Sequence, residues 1–205
     1  MSINKSLIFG IIFLSAFGIA HGAESKFTFK DSYLKFNENA TTEDLKTALS
    51  KNAQILRLGL SSCTEIDFDN QDLNWSRCTD LTHLYLSSTN ITAQGLQKIL
   101  NACLHLKKLN LSLCAEIDFD NQVLDWTQCP DLIDLDLYGT KITFAGLKKI
   151  LSACPHLEFL ELSSCDNLDK KYQKYLSESA ITQLREQFIF DLFPDLARAF
   201  SATTA

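Results

Sequence analysis

Proline, glycine and long apolar runs are all scarce in this chain of 205 residues. Three prolines and seven glycines are too few for a flexible interdomain linker or a low-complexity segment. Beyond the N-terminus, no apolar run approaches the roughly 20 residues that a transmembrane helix requires. We therefore predict a single domain, with no membrane span in the mature chain.

Basic residues are a minority, because 19 Lys and Arg face 25 Asp and Glu, for a formal net charge of −6. An acidic chain without a basic stripe is a poor nucleic-acid binder. No nucleophile elbow, P-loop or zinc-protease helix motif occurs. The Asp-rich segments lack the glycine and final glutamate of a calcium loop. We predict no enzyme activity, no cofactor, no metal and no nucleic-acid partner.

The first 22 residues have the pattern of a secretory signal peptide. Lys5 supplies the positive charge, and an apolar run of 14 residues follows from Leu7 to Ala20. Ala20 and Gly22 are the small residues that favour cleavage before Ala23. The pattern predicts a mature chain that is secreted or periplasmic.

The chain also contains a repeat written twice, 51 residues apart. The segment from Cys63 to Leu81 returns from Cys114 to Leu132, and each copy contains the letters EIDFDN. The segment from Ile91 to Cys103 returns from 142 to 154. Self-similarity at a fixed spacing is typical of stacked structural units.

A shorter period lies inside this block. The pattern L-x-x-L-x-L, with Ile once in place of the first Leu, occurs five times, at intervals of 26, 25, 26 and 25 residues. The five triads are Ile55/Leu58/Leu60, Leu81/Leu84/Leu86, Leu106/Leu109/Leu111, Leu132/Leu135/Leu137 and Leu157/Leu160/Leu162.

This pattern resembles the leucine-rich repeat, whose period is about 20–29 residues. The segments CPDLIDLDL, CPHLEFLEL, ITAQGL and ITFAGL are similar to the cysteine-containing subclass found in F-box substrate receptors. Ala93 and Phe144 replace the usual Asp of that subclass, and we identify no F-box-like segment before the repeats. The resemblance implies an α/β solenoid, with a curved parallel sheet on the concave face and helices or 3₁₀ turns on the convex face.

The sequence divides into four parts. Residues 1–22 are the signal peptide, and residues 23–53 are a degraded repeat that we interpret as an N-terminal cap. Five leucine-rich repeats occupy residues 54–165. Residues 166–205 have helical periodicity through Ile181, Leu184 and Phe188, which predicts a helical C-terminal cap ended by Pro194.

All seven cysteines fall at two repeat positions, which predicts buried thiols rather than disulfides. Cys63, Cys114 and Cys165 recur on alternate coils, about 10 Å apart if each strand step is about 4.8 Å, beyond disulfide reach. Cys78, Cys103, Cys129 and Cys154 recur on adjacent coils with parallel Cβ directions. One or two bridges in this second set remain an alternative.

The variable strand positions predict the binding surface. Framework positions stay fixed between the two 51-residue copies, whereas His83 becomes Asp134 and Tyr85 becomes Asp136. Positive residues fall toward the N-terminal end of this face and negative residues toward the C-terminal end. The predicted partner-binding residues are Arg57, His83, Tyr85, Lys108, Asn110, Asp134, Asp136, Tyr138, Phe159 and Glu161.

A stacked scaffold with a variable inner face predicts a monomeric, exported module that binds a protein partner. A bacterial factor acting on a host is one form of this hypothesis. Two alternatives stay open: a substrate-receptor-like component of a ubiquitin ligase, which the resemblance implies, and a structural protein of the envelope or periplasm. A plain solvated strand face is the competing interpretation of the surface itself.

Overall fold

The computed structural model describes residues 26–52 and 54–192, with side chains up to residue 188. Within these ranges, eight short strands form one sheet, and their order across the sheet is their order along the chain. The signal-peptide prediction lies outside the described residues. The strands are β1 Phe27–Lys30, β2 Tyr33–Phe36, β3 Arg57–Gly59, β4 His83–Tyr85, β5 Lys108–Asn110, β6 Asp134–Asp136, β7 Phe159–Glu161 and β8 Tyr175–Ser177.

Strands β2 to β7 are parallel and share one register, which the leucine period sets. The central framework residue of each strand lies opposite that of the next, so that Leu84 faces Leu58 on one side and Leu109 on the other. All three side chains are completely buried. Since side chains alternate along a strand, the residues on either side of each central leucine face away from this core.

The return path alternates between a helix and a 3₁₀ turn from coil to coil, and these are the two kinds of element that the resemblance implies for the convex face. Thr92 and Thr143 each cap a helix, because their hydroxyls accept the N–H of Gly95 and Gly146 at 3.1 Å. The helices are α1 Thr42–Lys51, α2 Ala93–Ala102, α3 Phe144–Ala153 and α4 Glu178–Leu192, and the 3₁₀ turns are Trp75–Arg77 and Trp126–Gln128.

Each repeat leaves its strand through a residue in the left-handed conformation. The φ angles at this position lie between 57° and 65°, a region that costs most residues some strain. Glycine occupies it once, and leucine, the bulkiest of the five, occupies it once. The five residues are Ser62, Ser88, Leu113, Gly139 and Ser164.

The N-terminal end is closed by a hairpin and a helix. β1 and β2 pair antiparallel through a two-residue turn in which Asp31 and Ser32 both have positive φ, as tight hairpins with matching twist require. Thr41 and Asp44 form a capping box at the start of α1. This unit covers the leucines of the first repeat.

The C-terminal end contains a strand that the sequence analysis did not predict. It anticipated a purely helical cap, but β8 pairs antiparallel with β7, and Leu176 lies opposite Leu160. A strand of three residues carries too little alternation to be recognised in sequence. In α4, Ile181, Leu184 and Phe188 are buried, as their spacing predicts. The predicted end at Pro194 lies outside the described residues.

All seven cysteines are free thiols with completely buried side chains, as the periodicity predicts. In the first set, each thiol contacts a main-chain carbonyl of the preceding coil. Cys114 Sγ lies 3.0 Å from Leu86 O, and Cys165 Sγ lies 3.1 Å from Leu137 O. Thr89 accompanies Cys114 by donating to the same Leu86 oxygen at 2.8 Å. Leu86 O therefore accepts from Thr89 of its own coil and from Cys114 of the next coil.

Residues 26–52 and 54–192 contain neither a membrane-spanning helix nor a metal-binding cluster. None of the helices in these ranges is both long and apolar enough to span a bilayer. Within the same ranges, no three His, Cys, Asp or Glu side chains converge as a metal-binding group.

Candidate functional site

The exposed face of the sheet carries two rows of side chains that cross neighbouring strands. The shared register places equivalent repeat positions side by side. We call this surface the strand face. Its rows across β3 to β7 are Arg57, His83, Lys108, Asp134 and Phe159, and Gly59, Tyr85, Asn110, Asp136 and Glu161.

Nine of the ten predicted partner-binding residues belong to these rows, and Tyr138 lies two residues after the end of β6. None of the ten is buried. The structure therefore brings them together on one surface. Their part in binding stays a prediction, because their arrangement is also compatible with a solvated sheet.

The N-terminal half of the strand face is basic and aromatic. The Arg57 guanidinium lies 5.2 Å from the centre of the Tyr33 ring, and the Tyr33 and Tyr85 ring centres are 6.2 Å apart. Partial burial lowers the pKa of His83, and the nearby cations Arg57 and Lys108 lower it further. Both effects favour the neutral form of His83, so the positive charge of this half comes mainly from Lys and Arg.

The two halves meet between β5 and β6. Lys108 Nζ donates to Asp134 Oδ2 across the strands, and this hydrogen bond raises the pKa of Lys108. Because both side chains are partly exposed, the pair contributes little to stability. The pair lies where the charge of the strand face changes from positive to negative.

The C-terminal half is acidic. Asp136 and Glu161 lie opposite each other on β6 and β7. Burial raises the pKa of Asp136, and the charges of Glu161 and Asp134 raise it further, against the opposing effect of Lys108. In the part of the chain that the structure describes, neither Asp136 nor Glu161 forms an ion pair.

Three exposed aromatic side chains lie on the same half of the strand face as these carboxylates. Tyr138, Phe159 and Tyr175 are 42%, 40% and 54% exposed. The Phe159 and Tyr175 rings stack with centres 6.2 Å apart and planes 24° apart. Tyr175 is also the register partner of Glu161 on β8, so a carboxylate and two aromatic rings share one patch of surface.

Comparison with known proteins agrees with this architecture. A family model described as Leucine Rich repeat matches residues 77–100 and 102–118, which span the second repeat and the start of the third. The fold is a leucine-rich-repeat solenoid.

Two curated proteins illustrate what the solenoid is similar to. F-box/LRR-repeat protein 23 of Arabidopsis thaliana is 33% identical over 135 residues, which are 62% of this chain and 30% of that protein. F-box/LRR-repeat protein 4 of Bos taurus is 32% identical over 133 residues, which are 63% of this chain and 21% of that protein. The chain thus spans less than a third of the length of either relative.

Three residues of the solenoid were predicted as contact residues only, yet they also stabilise turns. In each case the side chain of the last residue of the strand accepts the main-chain N–H two residues later, which stabilises the turn that follows the strand. The bonds are Ser112 N to Asn110 Oδ1 at 2.9 Å, Tyr138 N to Asp136 Oδ1 at 3.0 Å and Ser163 N to Glu161 Oε1 at 2.7 Å.

The strand face is wider than the sequence analysis predicted, because the two caps extend it. Lys30 and Tyr33 continue the first row, and Lys35 continues the second. Tyr175 extends the second row at the other end. The alternation of FTFK and YLKF around Asp31 was the signal for the hairpin, whereas β8 gave no comparable signal.

Leu113 is a further surface residue that the sequence analysis missed. It is 50% exposed although it occupies the left-handed position, where three other repeats have serine. A Cβ atom on Gly139 of the next repeat would lie 2.7 Å from Leu113 Cδ2. The missing side chain of Gly139 therefore makes the space that Leu113 occupies.

Proposed function

We propose that this protein is an interaction module that binds a protein partner through the strand face, which is the concave face of the solenoid. One observation carries the proposal. The two 51-residue copies keep their leucine framework, yet His83, Tyr85 and Ser87 are replaced by Asp134, Asp136 and Tyr138. Packing of the core does not require these changes, because all of these side chains lie outside it.

The composition of the face also favours binding over simple solvation. A surface kept only for solubility mixes charges and exposes few large aromatic rings. Here Tyr138, Phe159 and Tyr175 are exposed together, and aromatic residues are enriched at the energetic centres of protein interfaces. The charges are grouped by sign rather than interspersed.

Charge reversal on the acidic half tests the proposal. Asp134→Lys with Asp136→Lys should weaken partner binding and slow association, because charge complementarity acts mainly on the on-rate. The matched control is Glu65→Lys with Glu116→Lys, an equal charge change at two exposed residues outside the rows. Pull-down with each variant beside the wild type identifies the partner, and surface plasmon resonance then measures its kinetics. Equal binding by all three proteins contradicts the proposal.

We further propose that the protein is exported and acts in a secreted or periplasmic location, and that a bacterial factor directed at a host protein fits this best. The support is Lys5, the apolar run from Leu7 to Ala20 and the small residues before Ala23. Mass spectrometry of the mature protein should find Ala23 at its N-terminus. An intact residue 1 in the exported protein would contradict cleavage.

A second candidate function is a substrate-receptor-like role in a ubiquitin ligase. Its support is the similarity to proteins named F-box/LRR-repeat proteins. In that role the strand face would hold the substrate, and an adaptor would bind elsewhere on the full protein. Copurification of an F-box adaptor with the wild type favours this candidate, and its absence from the copurified proteins favours the first.

A further inference from the structure

The division of charge on the strand face points to the chemistry of its partner. Continuing the rows through the hairpin gives Lys30, Lys35 and Arg57 on β1 to β3, and in the described ranges neither lysine forms an ion pair. Beyond the Lys108–Asp134 pair, the charged residues of the rows are acidic. The surface is therefore positive at one end and negative at the other.

The acidic end has side chains that favour binding of a cation. Asp136 and Glu161 lie on neighbouring strands, and their mutual repulsion helps to raise the pKa of Asp136. A guanidinium or ammonium group between them would relieve that repulsion. The exposed rings of Phe159 and Tyr175 lie beside Glu161 and offer faces on which a cation is stabilised.

The basic end is suited to carboxylates. Lys35 and Arg57 are exposed on adjacent strands, and the Arg57 guanidinium packs against the face of the Tyr33 ring. An Arg that already packs against a ring loses less side-chain freedom when it binds a carboxylate through two hydrogen bonds. Negative groups of the partner would therefore be recognised at this end.

We propose that the partner presents a segment with divided charge, with Asp or Glu over β1 to β3 and Arg or Lys over β6 to β8. This rests on the proposed function of the strand face. The segment crosses the strands, because the sign of the surface changes from strand to strand and not along one strand. Four strand steps of about 4.8 Å separate the midpoint of β2 and β3, which carry Lys35 and Arg57, from the midpoint of β6 and β7, which carry Asp136 and Glu161. The distance is roughly 19 Å, about six residues of extended chain at 3.3 Å each.

A pair of synthetic peptides tests this segment directly. The probe is Glu-Glu-Glu-Gly-Ser-Gly-Arg-Arg-Arg with a fluorescent label, and the control peptide contains the same residues with Glu and Arg alternating. At low ionic strength, fluorescence anisotropy should show at least about tenfold tighter binding of the divided peptide. Equal affinity for both peptides, or no binding of either, overturns the proposal.

Neutral variants of the same shape locate the binding. Asp136→Asn with Glu161→Gln keeps the oxygens that accept from Tyr138 and Ser163, and should abolish the preference for the divided peptide. Glu65→Gln with Glu116→Gln removes two charges outside the rows and should leave it unchanged. If Asp136→Asn with Glu161→Gln does not reduce the preference for the divided peptide, the Arg residues of the peptide do not bind at the acidic end, and the proposal fails.

Light scattering on the wild type tests whether a second copy of this chain, rather than a separate partner, binds the strand face. Two copies related by a two-fold axis would set the positive end of each face against the negative end of the other. A monomer agrees with a separate partner. A dimer that dissociates in the Asp136→Asn, Glu161→Gln variant would show that a second copy occupies the face. If only the peptide experiments fail, the divided-charge proposal is wrong, and the charge-reversal experiment still tests separately whether the strand face binds a partner.

Discussion

At the scale of single residues, each leucine of the framework acts through burial, whereas the residues beside it act through exposure. Leu109 lies in the central repeat and is completely buried, and Leu113, four residues later, is 50% exposed. The same residue type therefore has opposite roles within one coil. Position in the repeat decides between them.

Leu109→Ala should lower the free energy of unfolding by about 2–5 kcal/mol, because it leaves a cavity between two packed coils. Leu113→Ser is the matched control, since serine occupies the equivalent position in three other repeats. It should change stability by no more than about 0.5 kcal/mol. Urea denaturation measures both variants. A loss below about 1 kcal/mol for Leu109→Ala would mean that the assigned register is wrong.

The thiols give a second test at this scale. Burial raises the pKa of Cys63 to about 11 and that of Cys78 to about 12, and the thiolate is the reactive form. In the native protein at pH 8, the thiols should react slowly with Ellman's reagent. After denaturation without reductant, all seven should react. Fewer than five reactive thiols would indicate that bridges connect adjacent coils.

At the scale of elements, contact between a helix and the return segment of the preceding coil requires glycine at one position. A Cβ on Gly146 of α3 would lie 2.8 Å from Phe119 Cβ, and one on Gly95 of α2 would lie 2.7 Å from Phe68 Cβ. These neighbours are not the flexible ends of side chains. Both glycines therefore allow the close approach of a helix to the preceding return segment.

Gly146→Ala should destabilise the protein, although alanine is the better helix former. The gain in helix propensity is about 1 kcal/mol, whereas forcing a methyl group into a packed contact costs about 1–3 kcal/mol. Ser152→Ala, at an exposed position of the same helix, has no such contact and should stabilise by a few tenths of a kcal/mol. Urea denaturation compares them, and stabilisation by Gly146→Ala would contradict the close packing.

The elements that sequence could predict are those that repeat. Five copies of the leucine triad predict β3 to β7 and their register, and the leucine-rich-repeat resemblance implies the helices and 3₁₀ turns of the return paths. β8 was missed because three residues, with only Leu176 buried, carry no period of their own. Its pairing depends on the free edge of β7. Tyr175, which β8 brings to the strand face, was missed for the same reason.

At the scale of the whole molecule, one core runs from the N-terminal hairpin to α4. Stability is then a sum over neighbouring repeats, and the caps close the two open ends. Arg185 of α4 donates to the main-chain oxygens of Leu151 and Cys154 at 3.2 and 2.6 Å, which attaches the C-terminal cap to the end of α3. This construction leaves the strand face free to vary.

Photo-crosslinking tests most directly whether the strand face is the binding surface. Benzoylphenylalanine replaces either Tyr138 on the strand face or Val123 on a return segment, two positions that are equally exposed at 42%. We expect a discrete adduct with the purified partner from position 138, which disappears in the Asp134→Lys, Asp136→Lys variant, and none from position 123. Adducts formed equally from both positions, or from position 123 alone, would contradict it.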